Sequence, residues 1–524
     1  MTEKIKQTLR DNKAARWTAL AIVAFTMLCG YFFTEIISPL KPLMESELGW
    51  SSSDFGLFTG AYAWFNVFLF MLIIVGIILD KVGMRISAIA SAVIMVIGAL
   101  VKYWAINSLS GDVTAIDINL FGNNYVMSQQ LLWACLGYAI FGVGVEFAGI
   151  TVSRIIVKWF KGKEMALAMG LEMACARLGT FAAMAFSPVI VSKFDIPQVI
   201  LIGGVLLAAG LIFFIIYFFM DIKLDKSMDD SELDFSDEKF ELKDIGKIVV
   251  NPGFWLLALL CVLFYSAVFP FYKFGTDLVF NKFGVPMENG MFLGFIPKGA
   301  SIIPSLLPFG TLFLTPIFGN IYDKKGKGAS IMILGAVLLI IAHVVLWIPS
   351  MNSVIVAILM VILIGIAFSL VPSAMWPSVP KIIAPQLLGT AYALIFFIQN
   401  IGLMIVPTLL GTTLDKTNPN VVERMAYFKA TGLEQGIVRP EAQAIFERLS
   451  ADGTITSNVT NLTSGEMSAV ITELRAESII PAYDYTQTWM IFVVLSVAAL
   501  GVAILLKAVD KKKGYGLEKS NIEK

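Results

Sequence analysis

The chain has little charge and few of the side chains on which enzymes depend. Only 15% of its 524 residues are charged, against about 25% in an average soluble domain. Lys and Arg together number 39, as do Asp and Glu, so the zero net charge gives no field to recruit nucleic acid. The single histidine, His343, cannot build a histidine metal site, and four cysteines are too few for a disulfide framework. We therefore expect no metal, no cofactor and no enzymatic activity.

Apolar residues are abundant instead. They make up 57% of the chain, which excludes an ordinary water-soluble protein and a disordered scaffold. A membrane-spanning helix needs about 20 mostly apolar residues. About twelve runs of that length occur, at 17–40, 54–79, 86–106, 130–158, 165–191, 196–220, 254–280, 292–321, 329–349, 353–379, 387–411 and 486–507. The sequence predicts an all-α integral membrane protein with 12 transmembrane helices.

Basic residues predict how these spans are oriented. Lys and Arg concentrate before the first span, in alternate connections and after the last span. The positive-inside bias therefore places both termini in the cytoplasm, which requires an even number of spans. The predicted organisation is a cytoplasmic N-terminal segment (1–16), a six-helix bundle (17–220), a cytoplasmic linker (221–252), helices 7–11 of a second bundle (253–411), an extracytoplasmic insert with helical periodicity (412–485), helix 12 (486–507) and a cytoplasmic tail (508–524).

A short motif occurs twice, after the second and after the eighth span. Three of its residues recur at one common offset, as Gly76, Asp80 and Gly83 and then as Gly319, Asp323 and Gly326. Glycine permits a tight turn and a close helix approach, and aspartate can cap a neighbouring helix and pair with a cation. We expect this motif to make a contact that forms in one conformation and breaks in another. A plain polar turn between helices is the alternative.

Cations stand near the first copy of the motif. Arg85 ends that copy, and Arg154, near the cytoplasmic end of the fourth span, is expected to join the Asp80 contact. In the second copy Gly328 occupies the place of Arg85. The cation there would have to come from one of the neighbouring lysines, Lys324, Lys325 or Lys327.

The repeated loop, the two sets of six spans and the linker between them resemble the major facilitator superfamily. The resemblance covers nearly the whole chain. It implies the major facilitator fold, in which two six-helix bundles rock around a central substrate site and expose it alternately to the two sides of the membrane.

Two opposite charges within the spans are the strongest candidates for that site. A charge in the bilayer core is energetically costly unless it is paired with an opposite charge or hydrated. Each such residue is therefore a candidate functional residue. Glu146 in the fourth span and Arg177 in the fifth lie at equal distances from the connection between them. An antiparallel helix pair would therefore hold them at one depth, near the midplane. They could bind the ammonium and carboxylate of a zwitterion, or they could form a structural salt bridge.

Other polar and aromatic residues in the spans are further substrate-binding candidates. Four aromatic residues could pack against the substrate or could serve interhelical packing and interface anchoring, namely Tyr62, Trp64, Tyr265 and Trp376. Lys273 could reach the cavity or pair with Asp277, four residues further on. Gln399 and Asn400 could donate to a polar substrate or bond between helices. Glu35 lies near the outer end of the first span and is expected to be exposed to water.

Several local motifs, spread over both halves, resemble one branch of the superfamily, the branch of the lysosomal dipeptide uniporter. They include Ala176-Arg177-Leu-Gly179, Trp376-Pro377, Leu388-Gly389-Thr-Ala-Tyr392 and Gln399-Asn400-Ile-Gly402-Leu403. In that branch the positions of Glu146 and Arg177 hold the peptide termini. The resemblance implies a small, dipeptide-like or amino-acid-like substrate, uniport and a possible single-span accessory subunit. The protein is expected to be monomeric, in a bacterial inner membrane or, in a eukaryote, a lysosomal membrane.

Three alternatives stay open at this point. Proton coupling through an embedded glutamate could replace uniport. A transporter of organic anions or of a nitrate-like solute would need Arg177 and perhaps Lys273, but not Glu146. A non-transporting membrane sensor or assembly subunit would use the 412–485 segment as its partner surface.

Overall fold

The computed structural model shows a largely helical chain. It describes residues 9–120, 123–160, 163–227, 244–287, 291–292, 296–428, 436, 438–459, 462 and 464–520. The middle of the predicted linker, residues 228–243, and parts of the predicted insert lie outside the described residues.

The first half of the chain contains nine helices in its described residues and one β-hairpin. The helices are α1 Lys13–Glu35, α2 Lys41–Leu48, α3 Ser52–Ala61, α4 Trp64–Phe68, α5 Met71–Val82, α6 Met84–Ser108, α7 Gln129–Phe160, α8 Met165–Val191 and α9 Ile196–Asp225. The strands β1 Thr114–Leu120 and β2 Asn123–Ser128 pair antiparallel between α6 and α7. This hairpin was not predicted, although the alternation of Ile116, Asp117, Ile118 and Asn119 is the pattern of a strand.

The remainder of the chain starts within the predicted linker (221–252), where the first of its helices, α10, lies. Its described helices are α10 Ile245–Val249, α11 Pro252–Ser266, α12 Phe269–Phe283, α13 Ile302–Lys325, α14 Gly328–Trp347, α15 Val354–Met375, α16 Val379–Ile382, α17 Leu388–Thr417, α18 Pro419–Phe428, α19 Pro440–Ala451, α20 Ser464–Ala476 and α21 Thr486–Lys513. Two short strands, β3 Met291–Phe292 and β4 Ile296–Pro297, pair between α12 and α13. The predicted insert thus contains the helices α18, α19 and α20.

The predicted spans are present. Eleven helical segments among the described residues are long and apolar enough to cross a membrane. The second predicted span is the exception, because it is divided into the short helices α3, α4 and α5. Phe70, just before α5, has the left-handed backbone conformation with φ of 53°, which a regular helix does not permit. Together with this broken span, the described residues supply the expected twelve.

The two halves pack closely at one end of the molecule. We call the end that carries Asp80 and Asp323 the signature-loop end, and the opposite end, which carries α2 and α20, the insert end. At the insert end α3 lies directly on α17. A Cβ added at Gly56 would lie 2.3 Å from the carbonyl oxygen of Pro407, and one at Gly411 would lie 2.0 Å from that of Ser52. Glycine is therefore required for this contact.

At the signature-loop end the two motif glycines lie on α5 and α13. A Cβ added at Gly76 or Gly319 would meet no atom within 4 Å. The close helix approach expected of these two glycines is thus not made in this conformation. The halves are joined at the insert end, while these motif positions face open space.

Candidate substrate site

Glu146 and Arg177 lie at nearly the same depth. Glu146 is fourteen residues before the end of α7, and Arg177 is twelve residues after the start of α8. At about 1.5 Å per residue, each lies about 18–21 Å from the signature-loop end. Tyr31 of α1 lies within electrostatic range of both side chains, so α1, α7 and α8 enclose one polar region.

A close helix contact positions the carboxylate of Glu146. A Cβ at Gly142, one turn before Glu146 on α7, would lie 2.0 Å from the carbonyl oxygen of Tyr62. Glycine there allows the chain at Tyr62 to approach α7. The Tyr62 hydroxyl consequently donates a hydrogen bond of 2.8 Å to Oε1 of Glu146. Tyr62, a predicted substrate-binding residue, therefore orients the acidic group of the site.

Arg177 contacts the other half of the molecule. Its guanidinium lies over the ring of Phe368 on α15, with 4.9 Å between the guanidinium carbon and the ring centroid. Glu146 and Arg177 form no ion pair with each other among the described residues, which argues against the structural salt bridge considered above. Phe368 is a residue that the sequence analysis missed, because nothing in an apolar helix marks which ring will face a cation.

The second half supplies an aromatic wall next to Arg177. The ring of Tyr265 lies 5.6 Å from that of Phe368, and its hydroxyl accepts a hydrogen bond of 2.9 Å from Nε1 of Trp376. Trp376 in turn stacks on Phe396 at 4.9 Å. Tyr265 and Trp376 are thus brought together beside the central charge, while half-buried Trp64 packs against the hydrophobic core.

Gln399 and Asn400 are engaged between helices in this conformation. The side-chain oxygen of Gln399 accepts from Sγ of Cys261 on α11 at 3.4 Å. Asn400 is fully buried, and its side-chain oxygen accepts from Asn66 of the first half at 3.4 Å. The interhelical alternative describes their present contacts, and Asn400 helps to join the two halves.

Lys273 is placed differently from either prediction. It does not pair with Asp277. Its ammonium instead contacts Oε2 of Glu35 at 2.7 Å and the Ser38 hydroxyl at 3.0 Å. Glu35 was expected to be wet but is only 5% exposed. The physical reason is that α1 and α12 meet at the insert end, where the packed halves exclude water from this ion pair.

The two copies of the repeated motif, residues 76–85 and 319–328, are called the signature loops. Each contains the tight turn that its glycines predicted. Gly83 has φ of 84° and Gly326 has φ of 68°, a left-handed region that only glycine adopts at little cost. Asp80 forms an ion pair with Arg154, as expected, and this pair lies within the first half. Arg85 does not face Asp80; its Nε contacts Asp221 near the end of α9 at 2.7 Å.

The second loop is held by the C-terminal tail. Glu518 accepts hydrogen bonds from the backbone N–H and the hydroxyl of Ser330, at 2.8 and 2.9 Å. The backbone N–H groups of Lys327 and Gly328 donate to the carbonyls of Glu518 and Leu517. The tail therefore satisfies the start of α14 at the place where the motif has Gly328 instead of arginine.

Within the described residues no group of three or more His, Cys, Asp or Glu side chains could hold a metal ion. The region around Arg177 contains two acids, Glu146 and Glu172, together with aromatic rings. Residues 23–407 match the family model described as Major Facilitator Superfamily. The chain belongs to the Major Facilitator Superfamily. It is therefore a multi-pass membrane transporter rather than an enzyme.

Individual members of the superfamily are similar over most of the chain. The lysosomal dipeptide transporter MFSD1 of Homo sapiens is 27% identical over 413 residues, which are 77% of this chain and 80% of that protein. A bacterial homologue of the human lysosomal transporter Spinster, solved in an inward-facing and occupied conformation, superposes with a TM-score of 0.62 at 16% identity, covering 96% and 98% of the two chains. The nucleoside transporter NupG superposes with a TM-score of 0.59 at 15% identity, covering 94% and 99%. The structural likenesses support the fold.

Proposed function

We propose that this transporter moves dipeptides across the membrane by alternating access. The observation that carries the proposal is that Glu146 and Arg177 share one depth but do not neutralise each other. An acid and a base held apart in this way match the two charged ends of a zwitterion. The name of the human relative, a lysosomal dipeptide transporter, supports the same substrate class.

Each group has a defined role in this proposal. Glu146, oriented by Tyr62, accepts hydrogen bonds from the peptide ammonium. Arg177 leaves the ring of Phe368 and binds the peptide carboxylate with two parallel N–H donors, a geometry that suits a guanidinium. The aromatic wall at Tyr265 and Trp376 packs against the peptide side chains.

The contacts at the two ends indicate from which end the substrate reaches the site. The halves touch at the insert end through α3 and α17, whereas Gly76 and Gly319 face open space. We propose that the signature-loop end faces the cytoplasm and that this conformation admits substrate from there. Closure would bring the signature loops together and separate α3 from α17. A transporter that rocks in this way exposes its site to one side at a time.

The test is binding of a dipeptide such as Ala-Ala to purified protein, followed by uptake into proteoliposomes. We expect Glu146→Gln and Arg177→Ala each to weaken binding about tenfold to a hundredfold, because hydrogen bonds to charged groups contribute about 1.5–3 kcal/mol. N-acetylated Ala-Ala should lose its dependence on Glu146, and Ala-Ala amide its dependence on Arg177. Glu473→Gln and Arg448→Ala are matched controls, because these two groups pair with each other at exposed positions of the insert, away from the site.

Two results would overturn the proposal. One is tight Ala-Ala binding by both site variants. The other is binding of organic anions or nitrate that needs Arg177 but is unaffected by Glu146→Gln, which would establish the anion transporter instead. Uptake measured with and without a proton gradient decides between uniport and proton coupling.

A further inference from the structure

We propose that the insert (412–485) holds the insert end of the transporter shut, by completing a buried charge cluster between the two halves. The insert does not lie apart from the bundle. Its residues Arg475, Tyr483 and Tyr485 reach groups on α2 of the first half and on α12 of the second. One segment thus binds both halves at the place where they must separate.

The first set of contacts involves α2. The Tyr483 hydroxyl donates a hydrogen bond to Oε1 of Glu45, and the guanidinium of Arg475 lies 3.6 Å from Oε2 of the same carboxylate. The ring of Tyr483 also packs against two cations: the ammonium of Lys41 lies 4.9 Å from its centroid and the guanidinium carbon of Arg475 5.7 Å from it.

The second set of contacts involves α12. The Tyr485 hydroxyl donates to Oδ2 of Asp277, and Nδ2 of Asn281 donates to that hydroxyl at 3.2 Å. Arg475 donates to the side-chain oxygen of Asn281. Asp277 also forms an ion pair with Lys41 of the first half, with 2.9 Å between Oδ2 and Nζ.

Charge balance shows why the insert matters. Lys41, Glu45 and Asp277 are 1%, 7% and 0% exposed, so one cation and two carboxylates are buried there. Arg475 brings a second cation to the Glu45 carboxylate. Removing one partner of a buried ionic group is strongly destabilising, because the charge left behind has lost its solvation and its partner.

The tyrosines keep this cluster intact over the ordinary pH range. Burial, and then the neighbouring carboxylate of Glu45, raises the pKa of Tyr483 well above its usual value. Burial and Asp277 do the same to the pKa of Tyr485. Both hydroxyls therefore stay protonated donors below about pH 10, the ordinary tyrosine pKa.

The experiment measures the separation of the two halves at the insert end, in full-length protein without any substrate. Spin labels are placed on cysteines at Ser108 and Asn352, exposed positions at the insert end of α6 and just before α15, in a background without the native cysteines. Electron–electron resonance then gives the distribution of distances. The wild type should show one short distance.

We expect Arg475→Ala to raise the ratio of long to short distances by about tenfold or more, the effect of losing one hydrogen bond to a charged group. Tyr483→Phe combined with Tyr485→Phe should act in the same direction with little loss of packing. Arg475→Ala with Glu45→Gln should recover much of the short distance, because the group that faced Arg475 then carries no charge.

Arg448→Ala is the matched control. It removes an arginine that pairs with Glu473 and Glu477 inside the insert, and it should leave the distances unchanged. The proposal is overturned if folded Arg475→Ala and the double Phe variant keep the wild-type distribution, or if Arg448→Ala shifts it equally. A failure of dipeptide binding would not bear on this result, since no substrate is present.

Discussion

At the residue scale, charges within the spans differ in the partners that they contact. Glu146 and Arg177 face one polar region without neutralising each other, and this is the property expected of groups that wait for a ligand. Glu35 and Lys273 form a buried ion pair across the two halves. Glu146 thus accepts a hydrogen bond from Tyr62 within the first half, whereas Glu35 pairs with a cation of the second half.

We predict that Lys273→Met destabilises the protein by about 3–5 kcal/mol, because the carboxylate of Glu35 would stay buried without its cation. The double variant Glu35→Gln with Lys273→Met should recover most of the loss, since no charge is then left unpaired. Thermal unfolding of the purified variants measures both changes. If Lys273→Met kept wild-type stability but lost substrate affinity, Lys273 would be a binding residue after all.

At the element scale, helix ends and close helix contacts carry the distinctive features. Glycine at Gly56 and Gly411 allows α3 to lie on α17. Glycine at Gly142 allows the chain at Tyr62 to approach α7 closely. The start of α14 has no side-chain cap of its own. The C-terminal tail, through Glu518, takes over that function from the far end of the sequence.

We predict that Glu518→Ala lowers stability by about 0.5–2 kcal/mol, the usual contribution of a side chain that caps the first N–H groups of a helix. Glu518→Gln should lose less, because the amide oxygen can still accept from Ser330. The midpoint of thermal unfolding measures the difference. An equal loss from Lys519→Ala, which keeps the cap, would show that the tail acts only through its bulk.

At the scale of the whole molecule, the two halves are joined at one end. Asp415 of α17 accepts hydrogen bonds from the backbone N–H groups of Ser52 and Ser53 at 3.1 and 2.6 Å, which fixes the start of α3. This contact lies beside the cluster that the insert completes. Access from the insert end requires all of these contacts to break together.

We predict that a disulfide between cysteines at Ser53 and Asp415 stops transport. The Ser53 hydroxyl oxygen and Oδ2 of Asp415 are 2.6 Å apart, and the backbones of α3 and α17 touch at Gly411, so thiols at these two positions lie close together. Uptake into proteoliposomes should fall to background on oxidation and return on reduction, in a background without the native cysteines. Either single cysteine variant is the control and should be insensitive to oxidation. Undiminished uptake by the cross-linked protein would contradict alternating access at this end.

The sequence by itself determined the class of fold and the place of the central charges. Long apolar runs must cross a bilayer as helices, because the backbone has no other partner there. The helical rise then places Glu146 and Arg177 at one depth. The repetition of Gly83 as Gly326 likewise predicted two tight turns, and both glycines have positive φ.

Only the tertiary structure decided which groups meet between distant parts of the chain. Lys273 could have paired with Asp277 one turn away, yet its partner is Glu35, and Asp277 instead binds Lys41 and Tyr485. Local spacing fixes which residues share a helix face, but the packing of two bundles and an insert fixes which faces meet. That packing depends on the summed contacts of the whole chain, and no single span contains the information.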